Sequence, residues 1–132
     1  MNNEIKMQLD HFAICANSEE DSDLFFTNLL GLKKVRNFIV SSELMKEFFG
    51  IEKEQKILRY ENDNIAAEVF ITDDKSNSKD SFTHQCLIVN ERDDFLNRAI
   101  TLGYKVTKVS REEKDSYYLF IRDHYGNTYE IK

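Results

Sequence analysis

Apolar positions along the chain fall into short runs that alternate or run unbroken, separated by stretches with helical spacing. Residues 7–14, 32–40, 55–61 and 65–72 read as strands, the last two as a hairpin turning at Asn62, Asp63 and Asn64. Residues 82–90, 104–109, 117–122 and 128–132 read as a second set of strands, with a turn over 123–127 before the last. Residues 18–30 and 92–102 have the spacing of amphipathic helices. Ser18 or Asn17 is placed to cap the first, whose opening turn is acidic. Leu44, Met45, Phe48 and Phe49 in SSELMKEFFGI add a short inserted helix.

The two sets are copies of one plan. Each begins with a histidine strand, His11 in LDHFAICA and His84 in THQCLIV, and a helix-like segment follows. His11 and Gly31 are 20 residues apart, and His84 and Gly103 are 19 apart. Each glycine follows the last apolar residue of its helix, where a left-handed C-cap belongs. Each copy closes on a strand holding a glutamate, Glu68 in AAEVFI and Glu130 in TYEIK. The plan is β-α-β-β-β, twice, with each unit needing the other to bury its face. From His to Glu the first copy spans 57 residues and the second 46; the inserted helix accounts for the surplus. The fold class expected is α+β, one domain over 1–132, with repeats at about 7–72 and 82–132. The stretch TDDKSNSKDS, 72–81, reads as the connector.

Composition narrows the partners. With 132 residues and 41% hydrophobic content, one real core is expected. A net charge of −6 argues against nucleic acid and anionic membranes. No apolar run reaches membrane-spanning length, MNNEIKMQ lacks a signal core, and two cysteines make no secreted scaffold, so a cytoplasmic protein is expected.

His11, Glu68, His84 and Glu130 all lie in apolar strands, where an ionisable side chain needs something to offset its desolvation. Alone, each has a bland reading, as a satisfied core histidine or a solvated glutamate. Their matching places in two repeats point instead to one divalent ion held by two imidazoles and two carboxylates. Side-chain alternation puts His11 with Leu9, Ala13 and Cys15, Glu68 with Ala66 and Phe70, His84 with Cys86 and Ile88, and Glu130 with Thr128. If the two sheets face each other, the four converge between the halves. His124 reads as a solvated turn residue, and Cys15 and Cys86 as small buried residues. Arg36, Arg59 and Arg122 are candidates for an anionic substrate. Tyr117 and Tyr118 face opposite ways, so at most one lines a cavity.

With these residues in view, the chain resembles the vicinal oxygen chelate superfamily, the fold of glyoxalase I, within the glyoxalase, bleomycin resistance protein and dioxygenase family. LDHFAICA, FFTNLLGLKKV, AAEVFI, THQCLIV and RDHYGNTYEIK carry the likeness, which runs from Met7 to Lys132. His124 stands where the family's ending usually has proline. The resemblance implies metal ligands at His11, Glu68, His84 and Glu130, and one divalent ion, Ni, Zn, Co or Mn before Fe. It implies a glyoxalase I-like lyase or isomerase that moves a proton next to a carbonyl through a metal-chelated enediolate. Glu130 and Glu68 are the catalytic candidates, Glu130 first. The substrate implied is a small molecule with vicinal oxygens, and a homodimer is expected. Cys15, Thr72 and Asp80 replace residues that grip glutathione in glyoxalase I, so glutathione specificity is not expected. The alternatives are a methylmalonyl-CoA-type epimerase, which LDHFAICA also resembles, or a metal-free antibiotic-binding protein of the same fold.

Overall fold

The computed structural model describes residues 8–72, 82–111 and 116–132. The first unit runs β1 (Phe12–Ala16), α1 (Glu19–Asp23), β2 (Lys33–Val40), α2 (Ser42–Phe49), β3 (Gln55–Glu61) and β4 (Ala66–Ile71). The second runs β5 (His84–Leu87), α3 (Arg92–Thr101), β6 (Lys105–Arg111), β7 (Ser116–Arg122) and β8 (Thr128–Ile131). The sheets have the orders β1-β4-β3-β2 and β5-β8-β7-β6. In each, the first strand runs parallel to the last and the other neighbours run antiparallel. The repeat expected from sequence is therefore present, with α2 as the insertion in its first copy. Met7 and residues 73–81 of the connector, Asp80 among them, lie outside the described residues.

The helix expected over 18–30 is one rod of two kinds. Ser18 caps α1, its hydroxyl accepting from the amide of Asp21 at 3.1 Å. From Leu24 to Leu29 the rod is π-helical, and the amide of Leu30 donates to the carbonyl of Phe25 at 3.0 Å. Gly31 and Gly103 end the first and third helical segments at φ of 74° and 88°, the left-handed conformation their spacing called for. Ser18→Ala removes the cap acceptor and is expected to cost about 1 kcal/mol. Urea unfolding should show a lower midpoint with an unchanged slope.

Phe25, Phe26 and Leu29 of this rod are buried and join the two units. The Phe26 ring stacks on Tyr60 of β3, 5.1 Å between centroids. The Phe25 ring meets Tyr104 edge-on at 5.3 Å and lies against Tyr129 of β8 at 4.7 Å. Leu58, Tyr60, Ala67 and Val69 of the first sheet share one core with Leu119, Ile121, Tyr129 and Ile131 of the second. The units thus meet through their helix-covered faces.

That arrangement corrects the expectation that the His and Glu faces look at each other within the chain. Alternation puts Arg59, Glu61 and Glu68 on the other face of the first sheet, and burying that charged face would cost more than burying the one carrying Leu58, Tyr60 and Val69. The His and Glu faces of both sheets are left open. Ile88, Val109 and Tyr118 are exposed on the second.

Candidate functional site

The parallel register of β1 and β4 sets Ala13 beside Glu68. His11 lies two residues before Ala13, so it joins Glu68 on the open face. Its Nε2 is 3.4 Å from Glu68 Oε1. Its Nδ1 is 2.7 Å from the carboxylate of Asp10. Arg59 stands directly opposite Glu68 on β3. Its Nη1 donates to Glu68 Oε2 at 3.0 Å, its Nε to Glu61 at 3.0 Å and its Nη2 to Asp10 at 3.3 Å. The hydrogen bond with His11 and then those with Arg59 hold the Asp10 carboxyl below the usual carboxylate range.

The second sheet repeats the pair with different surroundings. Glu130 lies between Cys86 on β5 and Phe120 on β7. His84, two residues before Cys86, shares their face, with Nε2 3.6 Å from Glu130 Oε1. His84 Nδ1 donates to the carbonyl of Phe82 at 2.8 Å. The Phe120 ring stands edge-on to the imidazole, 6.0 Å between centroids.

Both histidines therefore spend Nδ1–H on an oxygen, which fixes the tautomer and turns Nε2 outward as an acceptor. In each pair an acceptor nitrogen then faces a carboxylate oxygen, and a cation or a second proton must lie between them. Two neighbouring ligands of a metal, each about 2.1 Å from it, stand roughly 3.0–3.4 Å apart, close to the spacing found here. The glutamates are well shielded, 17% and 18% exposed, and the histidines less so, 36% and 39%. Each pair has the donor set and nitrogen orientation of half a metal site. Among the described residues no group of three or more such side chains is arranged to hold one ion. The two pairs sit on separate sheets because the units pack through their other faces.

The remaining candidates fall outside these pairs or serve them. Arg59 has its donors engaged by carboxylates. Arg36, opposite Arg59, lies over the Phe38 ring at 4.3 Å, and Arg122 reaches the carbonyl of Gly126 at 3.4 Å. Tyr118 is exposed on the His84 face, whereas Tyr117 is turned away and bonds Asp93. Cys15 is half-buried and burial pushes its thiol up, while Cys86 is exposed rather than buried. His124 is a turn residue as expected, yet it is anchored to Asp21 at 3.1 Å and leans on Tyr104. Thr72 follows β4, its amide donating to the carbonyl of Ala16 at 2.9 Å. A groove of about 670 Å³ along β5 and α3, lined by Leu29, Leu32, Asn64, Leu87, Phe95 and Arg98 among others, contains none of the four candidate ligands. Asp10 is the site residue that sequence reasoning missed. Its signal is plain, a carboxylate next to a strand histidine.

A family model described as the Glyoxalase/Bleomycin resistance protein/Dioxygenase superfamily matches residues 8–131. No curated protein matches the chain. Among solved structures, the glyoxalase family protein from Enterococcus faecalis is 17% identical with a TM-score of 0.68, covering 94% of this chain and 95% of that one. The fosfomycin resistance protein FosX from Listeria monocytogenes, in its monoclinic form, is 13% identical with a TM-score of 0.71, covering 96% and 93%. A mutant of the Listeria protein complexed with Mn(II) and a dihydroxypropylphosphonic acid is 12% identical with a TM-score of 0.71, covering 96% and 90%. These likenesses establish the fold, and no helix among the described residues is long and apolar enough to cross a membrane. With the doubled β-α-β-β-β plan and a match over nearly its full length, the chain belongs to the glyoxalase, bleomycin resistance protein and dioxygenase superfamily.

Proposed function

We propose that this protein is a metal-dependent lyase or isomerase of the glyoxalase I kind, which moves a proton on a carbon next to a carbonyl. The observation that carries the reading is the acceptor-to-acceptor geometry of both pairs, His11 with Glu68 and His84 with Glu130. Each open face supplies half a ligand set, so the complete site forms in a homodimer. There His11 and Glu68 of one copy meet the partner's His84 and the partner's Glu130. A divalent ion bound there supplies positive charge to two adjacent oxygens of a small substrate and stabilises the negative charge that develops on them. Mn(II) is the first ion to try, since a FosX structure of the same fold holds it, with Ni, Co and Zn next.

The chain's own groups do the rest. Asp10 and the Phe82 carbonyl hold the two imidazoles in one tautomer. Glu130, or Glu68 in second place, takes the proton from the carbon. The C–H electron pair moves toward the carbonyl oxygen, and the carboxyl returns the proton to the neighbouring carbon in isomerisation, or to the opposite face of the same carbon in epimerisation. Cys15 and Thr72, with Asp80, offer no glutathione grip, so the hemithioacetal of glutathione is expected to be a poor substrate.

Metal titration with sedimentation tests the assembly. One Mn(II) per chain in a dimer is expected, with binding lost in His11→Ala and in His84→Ala alike. Stoichiometric binding by a monomer, or binding that survives either substitution, would sink the shared site. Failure of wild type to bind any of the four ions would favour a metal-free binding protein.

A further inference from the structure

The two halves of the centre are not equivalent, and the repeat provides its own control. The residue facing Glu68 across the β3–β4 ladder is Arg59, and the residue facing Glu130 across the β7–β8 ladder is Phe120. Arg59 holds Glu68 Oε2 at 3.0 Å and leaves Oε1 toward His11. Its other donors are taken by Glu61 and Asp10. Asp10 in turn holds His11. One guanidinium thus ties both first-unit ligands into a single network, and only 17% of its side chain is exposed. Among the described residues no arginine or lysine pairs with Glu130, which has His84 as its ionic partner and an aromatic ring as its strand neighbour.

We propose that Arg59 is the positioning residue of this centre: lying opposite Glu68, it fixes that carboxylate as the stationary ligand and leaves Glu130, opposite Phe120, as the carboxylate that moves. This deepens the metal-dependent reading and rests on it. Arg59 is excluded as a substrate anion site because its donors are committed to carboxylates. Its charge does not simply repel an incoming ion. Arg59 brings Asp10 and Glu61 with it, and the three together carry a net negative charge. What it contributes is geometry. A planar fork holds three carboxylates in fixed directions, and a lysine cannot reproduce that.

The test measures Mn(II) affinity and the electron paramagnetic resonance spectrum of bound Mn(II) in wild type, Arg59→Ala and Arg59→Lys. Outer-shell partners of metal ligands are typically worth about tenfold to a hundredfold in metal affinity. Both variants are expected to bind at least about tenfold more weakly, with a changed spectrum. The lysine variant keeps the charge and decides the matter if the alanine variant does not fold. Binding by Arg59→Lys equal to wild type would show that charge alone matters and overturn the proposal. Tighter binding by Arg59→Ala would make Arg59 an electrostatic brake and overturn it as well. Absence of Mn(II), Ni, Co and Zn binding in wild type removes the metal reading and this proposal with it, an outcome distinct from the other two.

Discussion

Phe25→Ala is expected to destabilise the protein by about 3–5 kcal/mol, the range for emptying a buried aromatic site. Phe25 is 1% exposed and touches Phe26, Tyr104 and Tyr129. Phe26 belongs to the same rod, whereas Tyr104 and Tyr129 belong to the second unit, so the cavity would open where the two units join. The neighbours cannot close it easily. Tyr129 is held by its hydroxyl to Asp123 at 3.0 Å, and Asp123 also accepts from the amides of Tyr125 and Asn127 and the side chain of Asn127. With the typical entropy of unfolding of a chain this size, a loss of that order lowers the melting temperature by roughly 10–20 °C. Phe48→Ala is the control. Phe48 is 62% exposed on α2, and its truncation is expected to change stability by less than about 0.5 kcal/mol. Equal melting temperatures for Phe25→Ala and wild type would show that the rod does not hold the units together.

Side-chain alternation makes much of the site legible in the sequence. The strand around Glu68 has Ala67 and Val69 on one face and Glu68 on the other, and the structure keeps that division. The pairing of His11 with Glu68 and of His84 with Glu130 follows from it. Which face meets the sister unit is harder to read. Both faces of the first sheet carry apolar residues, and the buried Ile57 lies on the face of Arg59 and Glu68. The three charges of Arg59, Glu61 and Glu68 outweigh it and keep that face out of the shared core. The π-helical segment is not legible either. Phe25, Phe26 and Leu29 fit an α-helical stripe as well as a π-helical one, and the choice is made only once Tyr60, Tyr104 and Tyr129 are in place. Asp10 lies before β1 begins, so strand periodicity says nothing of it.

Glu130→Gln is expected to abolish most proton transfer while sparing much of the metal binding. The amide keeps an oxygen able to coordinate, but it cannot carry a proton at neutral pH. Loss of a positioned acid–base group typically costs about a hundredfold to ten-thousandfold in rate. The assay follows deuterium from solvent into a 2-hydroxy ketone, or into a 2-acyl thioester for the epimerase alternative, per bound Mn(II). Glu68→Gln makes the informative comparison. Glu68 is tied to Arg59 at 3.0 Å, and a neutral amide loses the ionic part of that bond. That variant should therefore lose metal affinity first, and its rate should recover when Mn(II) is raised to saturation. The rate of Glu130→Gln should not recover, because the missing group is the proton carrier and not the anchor. Equal exchange in wild type and Glu130→Gln, both fully loaded, would remove Glu130 from the mechanism. A rate in Glu68→Gln that stays low at saturating Mn(II), beside an unaffected Glu130→Gln, would assign the moving carboxylate to the first unit and reverse the division of labour that Arg59 and Phe120 imply.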